Sequence, residues 1–199
     1  MGTSIKNRDH WQQVWQSFRS GNADSFREIY NEFADALFTY GSKITPDREL
    51  LKDCIQDLFI DLYRYNLELR CPEYLEFYLY KTLKHLLIRK IRLGRQLQHL
   101  PAEDFTVFNL NFNFEEDYFQ QESEMKRQES VKRILQNLDD TKRELIFLKF
   151  TSGLNYAEIG EILNLKPDTV KKQLYRLLQS LRENYSVKLM ELFLMCCKA

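Results

Sequence analysis

The side chains best placed to do chemistry are cations and amides spaced along helices, with no catalytic cluster of acids, bases or nucleophiles. The stretch "NYAEIGEILNLKPDTVKKQLYRL", residues 155–177, sets Thr169, Lys171, Lys172, Gln173 and Arg176 close together. Lysine and arginine hold phosphate oxygens while short hydroxyls and glutamine reach base edges, so such a set suits a nucleic-acid groove. From Lys166 to Arg182 there are five basic residues against one acid, Asp168. A second set lies in "YLYKTLKHLLIRKIRLGR", residues 78–95, where six Lys and Arg between Lys81 and Arg95 meet no acid. Here Lys81, His85, Arg89 and Arg92 recur at i, i+4, i+8 and i+11 as one stripe, with Lys84 alongside. Tyr74, Phe77, Tyr78 and Tyr80 stand beside it, and aromatic rings next to cations suit unpaired bases. A third set is acidic: Asp53, Gln56, Asp57 and Asp61 share one face of "ELLKDCIQDLFIDLYRY", residues 49–65.

Other chemistry finds little footing. The four cysteines, Cys54, Cys71, Cys196 and Cys197, form no CxxC pair, which points to small apolar residues in a reducing compartment. His10, His85 and His99 are scattered; no second ligand is spaced to join His85 in a metal site. No phosphate-cradling glycine loop, HExxH or G-x-S-x-G is found, so neither an enzyme, a bound cofactor nor a small-molecule substrate is expected. The 29 Lys and Arg balance 29 Asp and Glu, so any polyanionic partner must be recognised by local charge. The N-terminus lacks an apolar signal segment and no apolar run is long enough to span a bilayer. A cytoplasmic protein is the expectation.

Six glycines, four prolines and long stretches of helical period predict an all-α fold of two small helical domains. Amphipathic patterns fill residues from about 10 to 94. The run 101–124 holds seven acids, no Lys or Arg, and phenylalanines at no clear period, which reads as a linker. Helical period returns from 128 to 185. The expected divisions are an N-terminal extension 1–20, a helical domain 21–94, a linker 95–127, a second domain 128–185 and an apolar tail 186–199. Thr45 before Pro46 and Asp47 predicts a hydroxyl N-cap followed by a first-turn proline. Asn155 with Glu158 three residues on predicts a capping box. Asn164 sits where a left-handed turn is needed, and Leu165 plugs the angle between the two helices. In the helix that follows, Val170, Leu174, Leu177 and Leu181 make the apolar stripe, opposite the basic set. A solvated helical hairpin shares that composition, but the capped short helix, turn and proline-started basic helix together favour a helix-turn-helix that binds DNA.

These residues carry a family resemblance. "YAEIGEILNLKPDTVKKQLYRLLQSLR" resembles the region-4 helix-turn-helix of bacterial sigma factors, which implies reading of the minus-thirty-five promoter element by Thr169, Lys171, Lys172, Gln173 and Arg176. Three positions depart from that pattern: Gly160 stands for the usual Ala, Asn164 for Gly, and Lys166 for a Ser or Thr cap. "DCIQDLFIDLY" resembles the region-2 signature of the same family. That implies docking on the β′ clamp helices of core RNA polymerase through Asp53, Gln56, Asp57 and Phe59, although Phe59 equally fits a core position. "YLYKTLKHLLIRKIR" is similar to the family's minus-ten-melting helix and implies contacts from Lys81, Lys84, His85, Arg89 and Arg92. His85 replaces the common Asn, and Arg89 or Lys90 falls near a usual acid.

Both halves, in this order and without a long region-1 or region-3 domain, resemble the two-domain extracytoplasmic-function type. The resemblance implies a transcription initiation factor with core RNA polymerase (β′ clamp helices and β flap), promoter DNA and an anti-sigma factor as partners, and a linker threading a basic channel of the polymerase. Two rivals are retained. A LuxR-like regulator ends in a similar module, but residues 1–100 lack the βα alternation of a receiver. A helical adaptor that binds only proteins would show no salt-sensitive DNA affinity.

Overall fold

The computed structural model describes residues 8–65, 75–97, 108–109, 130–131 and 133–184. Among these residues there are helices and no strand, as the periodicity predicts. They fall into two compact units, one within Ser4–Val107 and one from Phe108 onward.

The first unit contains α1 (Arg8–Arg19), α2 (Ala23–Ile44), α3 (Arg48–Tyr65) and α4 (Leu75–Leu97). α2, α3 and α4 pack on one another and α1 packs on α2. The stripe Leu51, Ile55, Leu58 and Leu62 is buried, as are Leu79, Leu83 and Leu87, while Leu86 is only half-buried. Residues 1–20 were expected to be an extension, but α1 is part of the core. Val14, Trp15 and Phe18 are buried, and the Trp11 ring lies 4.9 Å from that of Phe33. The period of "WQQVWQSF" carries that signal, because apolar residues at i, i+3, i+4 and i+7 make one face.

Helix punctuation follows local chemistry, with one correction. Thr45 lies ahead of α3, which begins at Arg48; its Oγ1 accepts from the Asp47 amide at 3.2 Å, but it does not cap the helix itself. Its amide donates to Gly41 O at 3.0 Å and so closes α2. Asp47 does the capping, its Oδ1 accepting from the amides of Glu49 at 3.1 Å and Leu50 at 3.0 Å. A carboxylate at that position also meets the positive end of the helix dipole, which a hydroxyl two residues earlier could not. Gly41 is needed for packing, since a Cβ there would run into Leu51 where α2 and α3 cross.

The second unit contains α5 (Asp140–Ile146), which continues as one π-helical turn over Phe147–Thr151, then α6 (Tyr156–Leu163) and α7 (Pro167–Asn184). Leu145, Ile146, Leu148, Ile159, Ile162, Val170, Leu174, Leu177 and Leu181 are buried together with Val131, Ile134 and Leu135. Asp139 caps α5, accepting from the Lys142 amide at 2.9 Å. The tail 186–199 lies outside the described residues.

Candidate nucleic-acid interface

α6 and α7 are joined by a turn whose geometry the sequence dictates. The Asn155 side chain accepts from the amides of Ala157 and Glu158 at 2.9 and 3.0 Å. The Asn155 amide in turn donates to Glu158 Oε2 at 2.6 Å, completing the expected capping box. Asn164 takes the left-handed conformation, φ 55° and ψ 41°, and the Leu165 amide donates to Gly160 O at 2.7 Å. Gly160 is required by this turn, because a Cβ there would lie 2.5 Å from Leu165 O. That is tighter than the latitude expected from the sequence. No side chain need cap α7 in the way Ser or Thr would: Lys166 O accepts from Thr169 and Val170 at 2.8 and 3.1 Å. Lys149 braces the loop before α6. Its Nζ donates to Leu154 O at 3.0 Å and lies 4.9 Å from the centre of the Tyr156 ring, a cation–π contact.

On the outer face of α7, Lys171, Lys172 and Arg176 are exposed, while Thr169 and Gln173 are half-buried at its inner edge. The Gln173 Oε1 is turned away from solvent. Tyr175, which sequence reasoning passed over, is 68% exposed. It falls one helical turn after Lys171, and with Tyr156, Asp168, Lys172 and Arg176 lines an open hollow. An aromatic at i+4 from a basic residue was the signal that could have found it.

In the first unit, α4 exposes His85, Arg89 and Arg92, with Lys81 and Lys84 half-buried. Exposed Leu93 joins His85, Ile88, Arg89, Arg92 and Gln96 around a shallow groove of about 490 Å³. Of the aromatics set beside this stripe, Tyr80 is a core residue: it is 3% exposed, with its ring edge-on to Tyr40 at 4.9 Å. Phe77 lies under the Lys81 ammonium at 5.4 Å. Tyr78 is half-buried; burial pushes its hydroxyl up, against a hydrogen bond with Thr82 that lowers it. Tyr74 lies outside the described residues.

α3 presents Asp53, Gln56 and Asp61 to solvent. Asp57 is shared, because Lys90 Nζ from α4 reaches its Oδ2 at 2.6 Å. Phe59 is not a surface contact. It is 3% exposed, its ring 4.8 Å from Tyr30, so packing against α2 rather than solvent fixes it. It forms the floor of an open apolar groove of about 580 Å³ between α2 and α3, walled by Tyr30, Phe38, Gln56, Ile60 and Tyr63. Among the described residues no group of His, Cys, Asp and Glu is arranged to hold a metal, and Cys54 is a buried free thiol. No helix among them is long and apolar enough to cross a membrane.

Residues 128–181 match the family "Sigma-70, region 4". The chain is 24% identical over 170 residues to the ECF RNA polymerase sigma factor SigW of Bacillus subtilis, covering 83% of this chain and 91% of that protein. It is 25% identical over 161 residues to the ECF sigma factor SigE of Mycolicibacterium smegmatis, covering 80% of this chain and 61% of that one. In fold it is similar to the sigma factor RpoE of Bartonella quintana, solved in complex with the anti-sigma factor NepR, with TM-score 0.55 and 20% identity over 81% of this chain and 96% of that one. CnrH, solved with the cytosolic domain of CnrY, gives TM-score 0.53 at 16% identity, covering 87% and 98%. A helix-turn-helix that matches region 4, carried by a chain similar to sigma factors along most of its length, supports a transcription-initiation sigma factor. Within that class its relatives SigW and SigE are of the extracytoplasmic-function type. These likenesses give no support to the LuxR-like alternative.

Proposed function

We propose that the protein acts in the cytoplasm by binding core RNA polymerase through its first unit and delivering it to promoters that both units read. Asp53, Gln56 and the partly exposed Asp57 offer carboxylates and an amide beside the apolar α2–α3 groove. That combination suits a polymerase surface that is basic and apolar, such as the β′ clamp helices, with Phe59 supporting the groove from below. His85, Arg89 and Arg92, with Lys81 and Lys84, track the strand of the downstream element as it opens. Opening is non-covalent: unstacking costs about a few kcal/mol per step, supplied by binding. Lys171, Lys172 and Arg176 hold phosphates of the upstream duplex, Thr169 and Gln173 reach base edges only after their side chains swing out from the inner edge of α7, and the second unit also meets the β flap. No enzymatic step is involved.

The observation that carries this reading is the opposition of charge within one packed pair of helices: α3 exposes Asp53 and Asp61 while its neighbour α4 exposes Arg89 and Arg92. A protein surface and a nucleic-acid surface then stand side by side. An anti-sigma factor is the natural inhibitor to propose, since the similar RpoE was solved in complex with the anti-sigma factor NepR. The test is capture of core polymerase by the wild type and by the double variant Asp53→Ala/Gln56→Ala. Stoichiometric capture that the double variant weakens at least about tenfold (about 1.4 kcal/mol) supports the reading. Failure of the wild type to capture polymerase, with duplex binding intact, would refute it.

A further inference from the structure

His10 and His85 lie in the same unit in opposite company. The His10 Nε2 stands 2.8 Å from Glu28 Oε1. The exposed His85 ring instead shares a shallow groove with Ile88, Arg89, Arg92, Leu93 and Gln96. Lys81 and Arg89 fall one helical turn to either side of it. Lys84 precedes it, and no acid occurs between Lys81 and Arg95. α2 and α3 pack against α4, yet no charged group of either lines the groove. Asp57 is held by Lys90, while Asp53 and Asp61 of α3 and Lys43 of α2 stand outside it. Among the described residues, every charged side chain that shares the groove with His85 is thus a cation. Ile88 is half-buried and Leu93 is 55% exposed, which sets an apolar shelf beside the two arginines.

We propose that this groove is a seat for one nucleotide of single-stranded DNA, and that a proton is taken up at His85 as the seat fills, so that the downstream contact tightens as pH falls. The inference rests on the proposed reading that α4 meets the opened strand. Arg89 and Arg92 offer planar forks for phosphate oxygens. The shelf of Ile88 and Leu93 suits the face of an unstacked base, as aliphatic wedges do in kinked duplexes. Imidazole is the side chain that changes charge between about pH 5 and 8. A phosphodiester brought beside it stays negative throughout that range and favours the imidazolium. Linkage makes the effect mutual: whatever the strand does for the proton, the proton does for the strand. The proton comes from solvent and resides on a ring nitrogen, and no bond in the DNA changes. Asparagine, which the family resemblance sets at this position, donates a hydrogen bond but takes up no charge. The proton dependence therefore follows from its replacement by His85.

Binding of a short single-stranded oligonucleotide to the full-length chain tests this, at low ionic strength where phosphate contacts are strongest. Lys171→Ala/Lys172→Ala serves as background, so that α7 does not compete. Affinity should rise several-fold from about pH 8 to about pH 6, within the limit of about tenfold per pH unit that one proton sets. Calorimetry in buffers of unlike ionisation enthalpy should return the uptake of up to about one proton over the same range. In His85→Asn the affinity should stay level with pH. At about pH 6 its slope of log affinity against log salt should be shallower by up to about 0.7. His85 is exposed, so this substitution leaves the core alone. A rise that survives His85→Asn would overturn the proton seat, and binding undiminished by Arg89→Ala/Arg92→Ala would overturn the groove as its place. Binding that ignores pH removes this inference and leaves the reading of α4 as a DNA surface standing. An oligonucleotide that binds at no pH sinks both.

Discussion

α4 and α7 both bury an apolar face and turn a basic one outward, yet their surroundings differ. α4 lies against α3, which exposes Asp53 and Asp61, and one of its cations is tied up there by the Lys90–Asp57 pair at 2.6 Å. α7 carries acids only near its ends, Asp168 and Glu183, and its neighbour α6 exposes Glu161 but buries Glu158 in the capping box. Long-range attraction to DNA depends on the summed field, not on any one side chain. The α4 stripe is thus partly offset by its own unit, and on the proposed function it acts once polymerase covers the α3 acids. On the same proposal the α7 face acts at a distance in the free protein. The units also differ in what holds them together. The first has an aromatic interior, with Trp15, Phe18, Phe33, Tyr40 and Tyr80 buried, whereas the second is mostly aliphatic; both have capped helices, at Asn22 and Asp47 in the first and at Asp139 and Asn155 in the second.

The largest expected effect tests that contrast of interiors. Trp15 is 1% exposed, with its ring 5.5 Å from Phe18. Trp15→Ala should cost about 3–5 kcal/mol, read as a fall in the chemical-denaturation midpoint of the first unit. A cost under about 1 kcal/mol would mean that α1 is dispensable, as the sequence-based boundary at residue 20 implied. That boundary shows where sequence reading fell short. The apolar period of α1 was visible, but a twelve-residue helix gives no sign of whether it docks. What was legible were features governed by local chemistry: the Asn155 box, the left-handed Asn164 and the Val170 to Leu181 stripe. Cross-helix facts were not legible, because no local rule links residues so far apart in sequence. The capture of Asp57 by Lys90 is one, and the burial of Phe59 and Tyr80 beneath α2 is another. Thr45 was misjudged for a subtler reason: Thr45 and Asp47 are both capping residues, and only the backbone path decides which of them starts the helix.

Second in size is the charge contrast itself. Lys171→Ala/Lys172→Ala should lower the slope of log affinity against log salt for upstream duplex DNA by about two. The matched pair Arg89→Ala/Arg92→Ala on α4 should change the slope for the free protein by less than about one. Equal changes from the two pairs would break the comparison. Next comes the cap. Asn155→Ala removes acceptors for two amides and should destabilise the second unit by about 1 kcal/mol while leaving the first unit's unfolding transition in place.

The smallest effect concerns Lys90. The hydrogen bond to Asp57 raises its pKa above the ordinary 10.5, against burial, which lowers it. A cation whose pKa is higher in the folded chain contributes its full stabilisation below the unfolded value, and that contribution is lost as pH climbs through the folded value. Both partners are partly exposed, 32% and 48%, so the pair is worth no more than about 1 kcal/mol. Lys90→Met keeps most of the apolar stem and removes the charge. The stability difference between wild type and variant should hold steady from neutral pH to about 10.5, then close in more alkaline solution. In the polymerase capture assay the same variant should bind as well as wild type or better, because Asp57 is released to face a partner. Weaker capture would mean that Lys90 itself contacts polymerase, and that the offsetting of α4 by α3 is not what separates the two helices.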